Sequence, residues 1–562
     1  MLYEKDVGMT EYVGKHKGFT GILKLRYQDF LVNEINLNGE VIHLTNVDVM
    51  VEKKPVPPVL NTEDISVISK EDVDELKNLL VNTDPSASFI IKTAGKNKAE
   101  RTEIHKIVSQ YFPKLETKTI KNAETDEQDI KVTKFTKENI NRRRQSREKS
   151  SKFCKFVMHK ENIATMDAVN LIIRKLHLRQ ARCFHSAGNK DKRGVTVQTI
   201  TTSISPERLV PINQLLNNIR IGNFEPCESA LRLGDLKGNR FSIVIRNTLD
   251  IEEADLILAI KSFSQVGFLN YFGMQRFGTS SVATYEVGKS LIASKWENAV
   301  DLILSSCFKE EMINLIRNWR EAGNARKALT HQWNKRSSFE RYLLEGLAYF
   351  GPKQLVQSLG RIPRNTRMLY LHSYQSFVWN RVVSRRFSVY GDSPVVGDLV
   401  FAETLNCGIP DVIVLTEENV HNYSIHDIVM PLPGQSITYP THGAAKWYDE
   451  ELSKDGIEKD MFNHKVKEYF LSGAYRKVVS KPSNIEWDIV RYTDYRKPLL
   501  ISDVDVLDKK ERPTGEKDGK YTALRISFSL PSSSYATVAM REVMKCDMSS
   551  TNQSKLGDLH KL

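Results

Sequence analysis

The chain has 562 residues, 40% of them hydrophobic and 27% charged, a composition that excludes a collagen-like or broadly disordered polymer and a length too great for one ordinary core. Its 81 Lys and Arg against 69 Asp and Glu give a net charge of +12, which favours a polyanionic partner through phosphate contacts, although an unspecialised basic surface has the same balance. Six cysteines are scattered without a Cys-x-x-Cys pair and no apolar run nears the roughly 18 residues of a membrane span, so the expectation is a soluble, unsecreted protein of a reducing compartment, with no structural zinc and no membrane partner.

Residues 19 to 36, FTGILKLRYQDFLVNEIN, read as strand, polar turn and strand. From 53 to 151 the texture changes to a proline-rich entry (KKPVPPV), an acidic helix near Glu71 to Leu80 and a basic exit, NRRRQSREKSSK, which together look like an inserted module on solvated linkers. Inside it Ile104, Ile107, Val108 and Phe112 recur at helical spacing, with Arg101 and His105 one turn apart on another face. Such an Arg-x-x-x-His pair resembles the small single-strand nucleic-acid module defined by that pair, or it is a solvent-facing coincidence. The cluster Arg142-Arg143-Arg144 is either a nuclear-import or RNA-contact segment or a plain linker.

From Phe156 the sequence predicts a strand, then a helix capped by Thr165 and lined by Val169, Ile172, Ile173 and Leu176. It delivers the loop HSAGNKDKRGVTVQT, in which Asp191 stands alone among Lys190, Lys192 and Arg193 ahead of an alternating β-branched run. A glycine-punctuated turn, LRLGDLKGNRF, feeds a strand to Arg246, and a helix opened by Asp250 and Glu253 and stopped by Gly267 leads into FLNYFGMQRFG. Helical patterns then dominate to about Pro482, interrupted by VVGDLVF and DIVMPLPGQSITYP, before strand-rich sequence returns in ALRISFSLPSSSYATVAMREVMK. The order of elements predicts an α+β core interrupted by a mostly helical insertion.

Asn189-Lys190-Asp191 is one residue short of a guanine-specifying box, and no GxxxxGK[ST] loop accompanies it. Neither GxGxxG after a strand, nor HExxH, nor a GxSxG elbow occurs, which argues against dinucleotide, metallohydrolase and serine-hydrolase chemistry. What remains is one carboxylate. With a reference pKa of about 3.9 an aspartate is ionised at neutral pH, and neighbouring cations favour that form, so Asp191 can serve as nucleophile or base unaided. Carboxylate nucleophiles suit glycosidic carbon because the bond they make is readily reversed. An exposed turn residue in a glycine-rich hairpin is the alternative.

Four segments, AGNKDKRGVTVQ, LGDLKGNRF, NYFGMQRFG and SLPSSSYATVAMRE, resemble in order the signatures of the TruD family of pseudouridine synthases, and RNTRMLYLHSYQSFVWN and MFNHKVKEYFLSGAYRK look like its eukaryotic branch. The resemblance implies a pseudouridine synthase core with a mixed, mainly antiparallel sheet and flanking helices. Residues 1–52, 152–272 and 486–562 would form the core and tail, 53–151 an inserted basic module, and 273–485 a mostly helical TRUD insertion domain. It implies an isomerase that detaches uracil at N1 and rejoins it through C5 in tRNA, small nuclear RNA and mRNA, without cofactor or metal, acting as a monomer in the nucleus and also the cytoplasm. By the same resemblance Asp191 is the catalytic aspartate, either adding covalently or abstracting a sugar proton. Phe272 would stack on the extruded uracil and Asn270 would hold the nucleotide. Lys24, Phe30 and Glu34, around DFLVNE, would line the cleft from the other side, with Phe30 alternatively plain core, and Arg541 is a candidate cation beside the aspartate. Arg101 and His105 are the RNA-binding candidates of the insert. Two departures stand out: Asn189, where small or apolar residues are usual, and Ser532-Ser533, in place of Pro-Gly. The competing expectation is a non-catalytic RNA-binding protein or RNA chaperone on the same scaffold.

Overall fold

A computed structural model of the chain describes residues 2–48, 67–82, 84, 86–112, 114–121, 128–134, 153–178, 183–248, 252–278, 281–306, 313–314, 316–317, 319, 321, 339–402 and 411–559. The proline-rich entry to the insert and the Arg142 cluster lie outside the described residues.

The centre is a nine-stranded sheet. Seven strands form its path: β1 (Phe30–Ile35), β2 (Phe153–Glu161), β3 (Val195–Thr202), β4 (Ile219–Cys227), β5 (Gly238–Arg246), β6 (Ser483–Tyr492) and β7 (Tyr521–Pro531), in the order β6-β7-β5-β1-β3-β2-β4. Ile22–Leu23 pairs beside β5 and Phe184–Ser186 beside β3. Along the path only β1 and β3 run parallel, with Leu31 opposite Val195, so the sheet is mixed and mainly antiparallel, as the sequence predicts. The run VTVQTITT makes β3 because its β-branched residues fit a pleated, crowded surface, and all eight are buried.

One face carries an aromatic row across three strands: Phe30 meets Phe241 at 6.0 Å, and Phe241 meets Phe528 at 5.7 Å. Helix α2 (Glu253–Val266) closes over it through Phe263, 5.4 Å from Phe528. Burying each such ring contributes about 2–3 kcal/mol. Gly267 ends α2 at φ +76°, where an added Cβ would come within 2.3 Å of the Ser480 carbonyl, so the predicted stop is also a close crossing of chains. From there the apolar core continues without a break into residues 281–479, where the 27-residue helix α3 (Arg364–Tyr390) and a four-stranded antiparallel sheet pack together.

The inserted module has its own core. Helices Lys70–Val81 and Lys98–Tyr111 pack Leu76, Leu79, Ile104 and Val108 onto Ile130 and Val132 of a three-stranded sheet that the sequence reading did not include.

Thr165 differs from its expected role. Helix α1 (Thr165–Lys175) begins with it, and the cap is Ala164, without a side-chain hydrogen bond. The Thr165 hydroxyl is turned instead to the loop that carries Asp191.

Candidate active site

The loop from Ala187 to Gly194 joins Phe184–Ser186 to β3, and three side chains outside it fix its backbone. Thr165 Oγ1 accepts the Lys190 amide at 3.0 Å while donating to Gln198 Oε1 at 2.8 Å, and Gln198 Nε2 donates to the Gly188 carbonyl at 3.0 Å. The third is Lys160, on β2 and fully buried, whose Nζ donates to the Ile163 carbonyl at 2.8 Å and to the carbonyl of Asp191 itself at 3.0 Å. Burial pushes its pKa from 10.5 down to about 8; the Asp191 charge opposes that shift and Lys190 adds to it. Gly194 closes the loop against β1, where a Cβ would meet the Phe30 carbonyl at 2.8 Å.

Of the sequence-predicted residues Lys24 meets Asp191 directly, while Phe30 and Glu34 lie behind Lys24 and Lys190. Lys24 Nζ lies 2.8 Å from Asp191 Oδ2 and 3.6 Å from the centroid of the Phe30 ring, so Phe30 is core and its ring underlies the Lys24 ammonium. The Asp191 side chain is 36% exposed, neither sealed nor free in solvent. Lys24 is aimed by a backbone in the left-handed region, φ +57°, a conformation that costs about 1 kcal/mol in a non-glycine residue and is held by Arg193 Nη2 on the Lys24 carbonyl. Glu34 makes a buried ion pair with Lys190 at 2.9 Å, the two side chains 2% and 3% exposed, and accepts the Thr199 amide at 3.1 Å. Lys190 also donates to Asn239 Oδ1 of β5 at 2.5 Å. Burial holds the Lys190 ammonium below its ordinary value, and Glu34 opposes the shift. Three lysines against two carboxylates leave a local excess of positive charge.

Asn270 and Phe272 form a second group. Asn239 sits opposite Leu530 of β7, and the turn after that strand brings Ser534 Oγ to 3.1 Å from Asn270 Oδ1. Asn380 of α3 clamps the Phe272 backbone, its Oδ1 accepting the amide at 2.9 Å and its Nδ2 donating to the carbonyl at 3.0 Å. Arg476 donates through Nε to the Asn270 carbonyl at 2.7 Å and through Nη2 to Asn270 Oδ1 at 2.8 Å. The Phe272 ring is 5% exposed, set edge-on to Trp379 and beside the half-buried Tyr535. A base stacking on it must therefore shift a neighbour.

Arg541 is corrected. Helix α4 (Ala536–Met544) turns it away from the loop: Nε pairs with Glu4 at 2.7 Å, Nη1 donates to the Glu11 carbonyl and Nη2 to that of Met9, and its guanidinium stacks over Tyr12. All its donors tie down the N-terminal strap, and the cation beside Asp191 is Lys24. Arg101 and His105 lie on the Lys98–Tyr111 helix of the insert, where Arg101 Nη1 donates to the Lys96 carbonyl and both His105 ring nitrogens reach Thr117 and Thr119 of the sheet beneath. Both departures from the family pattern have a local account. Asn189 is exposed, and Ser533 stands at φ +65°, a conformation that glycine adopts without strain. Among the described residues no cluster of His, Cys, Asp or Glu has the arrangement of a metal site, and no helix is long and apolar enough to cross a membrane.

Asp191 with Lys24 at 2.8 Å, and Asn270 with Phe272 on a separate segment, are the two groups that comparison with known proteins assigns to one family. The family model described as tRNA pseudouridine synthase D (TruD) matches residues 119–543. The chain belongs to the TruD family of pseudouridine synthases, isomerases that act on RNA. Within that family it is similar to the pseudouridylate synthase 7 homologue of Homo sapiens, 40% identical over 99% of this chain and 83% of that one. It is also similar to the multisubstrate pseudouridine synthase 7 of Schizosaccharomyces pombe, 33% identical over 99% and 92%. The fold is similar to a crystal structure from Methanosarcina mazei assigned to tRNA pseudouridine synthase D, with a TM-score of 0.55 and 21% identity over 97% of this chain and 98% of that one.

Proposed function

We propose that this synthase isomerises uridines of tRNA, and also of small nuclear RNA and mRNA, with Asp191 as the group that attacks or deprotonates a flipped-out nucleotide. The observation that carries it is the Lys24–Asp191 contact at 2.8 Å, on a loop bonded at five of its backbone groups: Ala187, Gly188, Lys190, Asp191 and Gly194. Lys24 Nζ on Oδ2 fixes where that oxygen points and sets a positive charge beside the carboxylate when it leaves. The N1–C1′ bond breaks, uracil turns, and C5 bonds to C1′ as its proton is lost. Whether the oxygen of Asp191 holds C1′ meanwhile, or takes a sugar proton to give a glycal, both routes need the same group in the same place. Lys24 stands on one side over the buried Phe30 ring, Glu34 supports the loop from below through Lys190, and Asn270 and Phe272 form the receiving side. The range of RNAs rests on the multisubstrate name of the fission-yeast relative and the tRNA designation of the family model. On this reading the enzyme acts as a monomer, without metal or cofactor, in the nucleus as well as the cytoplasm, with Arg142-Arg143-Arg144 as the import segment.

The test treats RNA with wild type and Asp191→Ala and maps pseudouridine by a chemical adduct that stops reverse transcription. Signal from wild type alone is expected; equal signal from both removes Asp191 from the reaction, and signal from neither supports a binding protein or chaperone. Mapping after depletion in cells identifies the RNA classes, and a fluorescent fusion lacking the three arginines tests the nuclear fraction.

A further inference from the structure

Five arginines are buried among the described residues, and four have a carboxylate: Arg246 with Asp29, Arg367 with Glu468, Arg386 with Asp398 and Arg541 with Glu4. Arg476 is the exception. Its hydrogen bonds go to the neutral oxygens of Asn270 and Tyr271, and its charge lies 4.1 Å from the Phe272 ring centroid and 5.5 Å from that of Trp379. A second guanidinium stands near the same ring. Arg276, on the short turn Met274–Arg276 that follows the Asn270-Tyr271-Phe272 segment, has its Cζ 5.5 Å from the Phe272 centroid, and its Nε is buried with no hydrogen-bond partner among the described residues. Burial pushes Arg476 from 12.5 down to about 10, opposed by Tyr535 and reinforced by the Arg276 charge, so the two cations repel, and among the described residues no carboxylate pairs with either.

Buried charge is normally paired, because an unpaired one has lost its water and gained nothing in exchange. Among the described residues, two guanidiniums without a carboxylate stand around one ring, Arg476 buried and Arg276 half-buried with its buried Nε unused, and they describe a site completed by an incoming anion. On the reading that this cleft receives a flipped uridine, the anion RNA brings is its own phosphodiester, joined to the very nucleotide whose base approaches Phe272. Uracil oxygens are neutral and would leave both charges unbalanced. We propose that Arg276 is the receptor for an RNA backbone phosphate of the target nucleotide. Arg476 is a positioning residue: it holds Asn270 and Phe272 in place and adds its field to the same pocket. Planar guanidinium suits phosphate through paired donors.

The experiment uses the full chain and an RNA containing the target uridine, in wild type, Arg276→Gln and Arg276→Lys, with uncharged methylphosphonate placed at one linkage at a time on either side of the target. Arg276→Gln is expected to raise KM and the dissociation constant about tenfold or more, the scale of one lost charge-assisted hydrogen bond. It should lower the salt slope of binding by about 1, with kcat and melting temperature little changed. In wild type, one methylphosphonate linkage reproduces that loss, and in Arg276→Gln the same linkage costs nothing further. Arg276→Lys recovers part of the affinity. If every linkage costs the variant as much as wild type, or if kcat and melting temperature fall together with affinity, the assignment is overturned. Binding is read by anisotropy without turnover. A wild type that binds but makes no pseudouridine would thus refute the catalytic reading and leave the phosphate site separately decided.

Discussion

Lys160→Met separates positioning from stability. The ammonium is fully buried without a carboxylate at bonding distance, and the fall of its pKa from 10.5 to about 8 corresponds to about 3 kcal/mol that folding spends on holding the charge. Replacing it by Met removes that penalty but leaves the carbonyls of Ile163 and Asp191 without their donor, each costing about 1–3 kcal/mol. The two largely cancel, so stability at neutral pH should move by no more than about 3 kcal/mol. Catalysis does not cancel. With its carbonyl untethered, Asp191 is free to drift relative to the sugar, and misplacement by about 1 Å costs about 100-fold. Single-turnover pseudouridine formation should therefore fall about 100-fold while melting temperature and RNA affinity hold. The pH dependence is a second signature. Between about 8 and 10.5 the unfolded chain holds a proton on Lys160 that the folded chain has released, so this residue makes wild-type stability rise with pH across that window, and the Met variant lacks the rise. Retained activity, or activity and melting temperature falling in step, would refute the positioning role.

Lys190→Met strands Glu34 as a buried charge and should destabilise by about 3–5 kcal/mol in denaturant titration, with much of the loss recovered by adding Glu34→Gln. Phe272→Leu keeps most of the packing against Trp379 but loses an aromatic face, so kcat/KM should fall by about tenfold or more, the scale of one base stack; an unchanged kcat/KM in folded enzyme returns Phe272 to a core role. Arg101→Ala should lower the salt slope of RNA binding by about 1 and leave the chemical step intact, and an unchanged slope removes it from the RNA surface. Arg101 alone is the cleaner probe, since His105 is bonded to Thr117 and Thr119 and its loss would also loosen the insert.

The parts of this protein that can be read in its sequence are those that sit side by side in it. The Asp191 loop, the Asn270-Tyr271-Phe272 segment and the Lys24-to-Glu34 stretch are contiguous, and their residue types announce their chemistry. Glycine and β-branched patterning likewise expose β3 and the end of α2. What supports them comes from afar: Lys160 lies 31 residues from the loop it anchors, and Arg476 lies 206 from Asn270. A lone lysine closing the apolar strand FVMHK was the available signal for the first; none exists for the second. Arg541 was misread for the same reason, because position in a motif does not say which way α4 turns the side chain, and its partner Glu4 stands at the other end of the chain. Thr165 looked like a cap because a cap and a loop anchor need the same hydroxyl.

The placement of β7 has a consequence for biosynthesis. This late strand lies between β6 and β5, so the central sheet stays open until residues near 531 have left the ribosome. Asp191 emerges hundreds of residues earlier, onto a surface still missing Asn380, Arg476 and its inner strand. A nascent chain stalled before that point carries the reactive carboxylate but not the rest of the machine, and a truncation near 520 should yield an insoluble product rather than a weak enzyme.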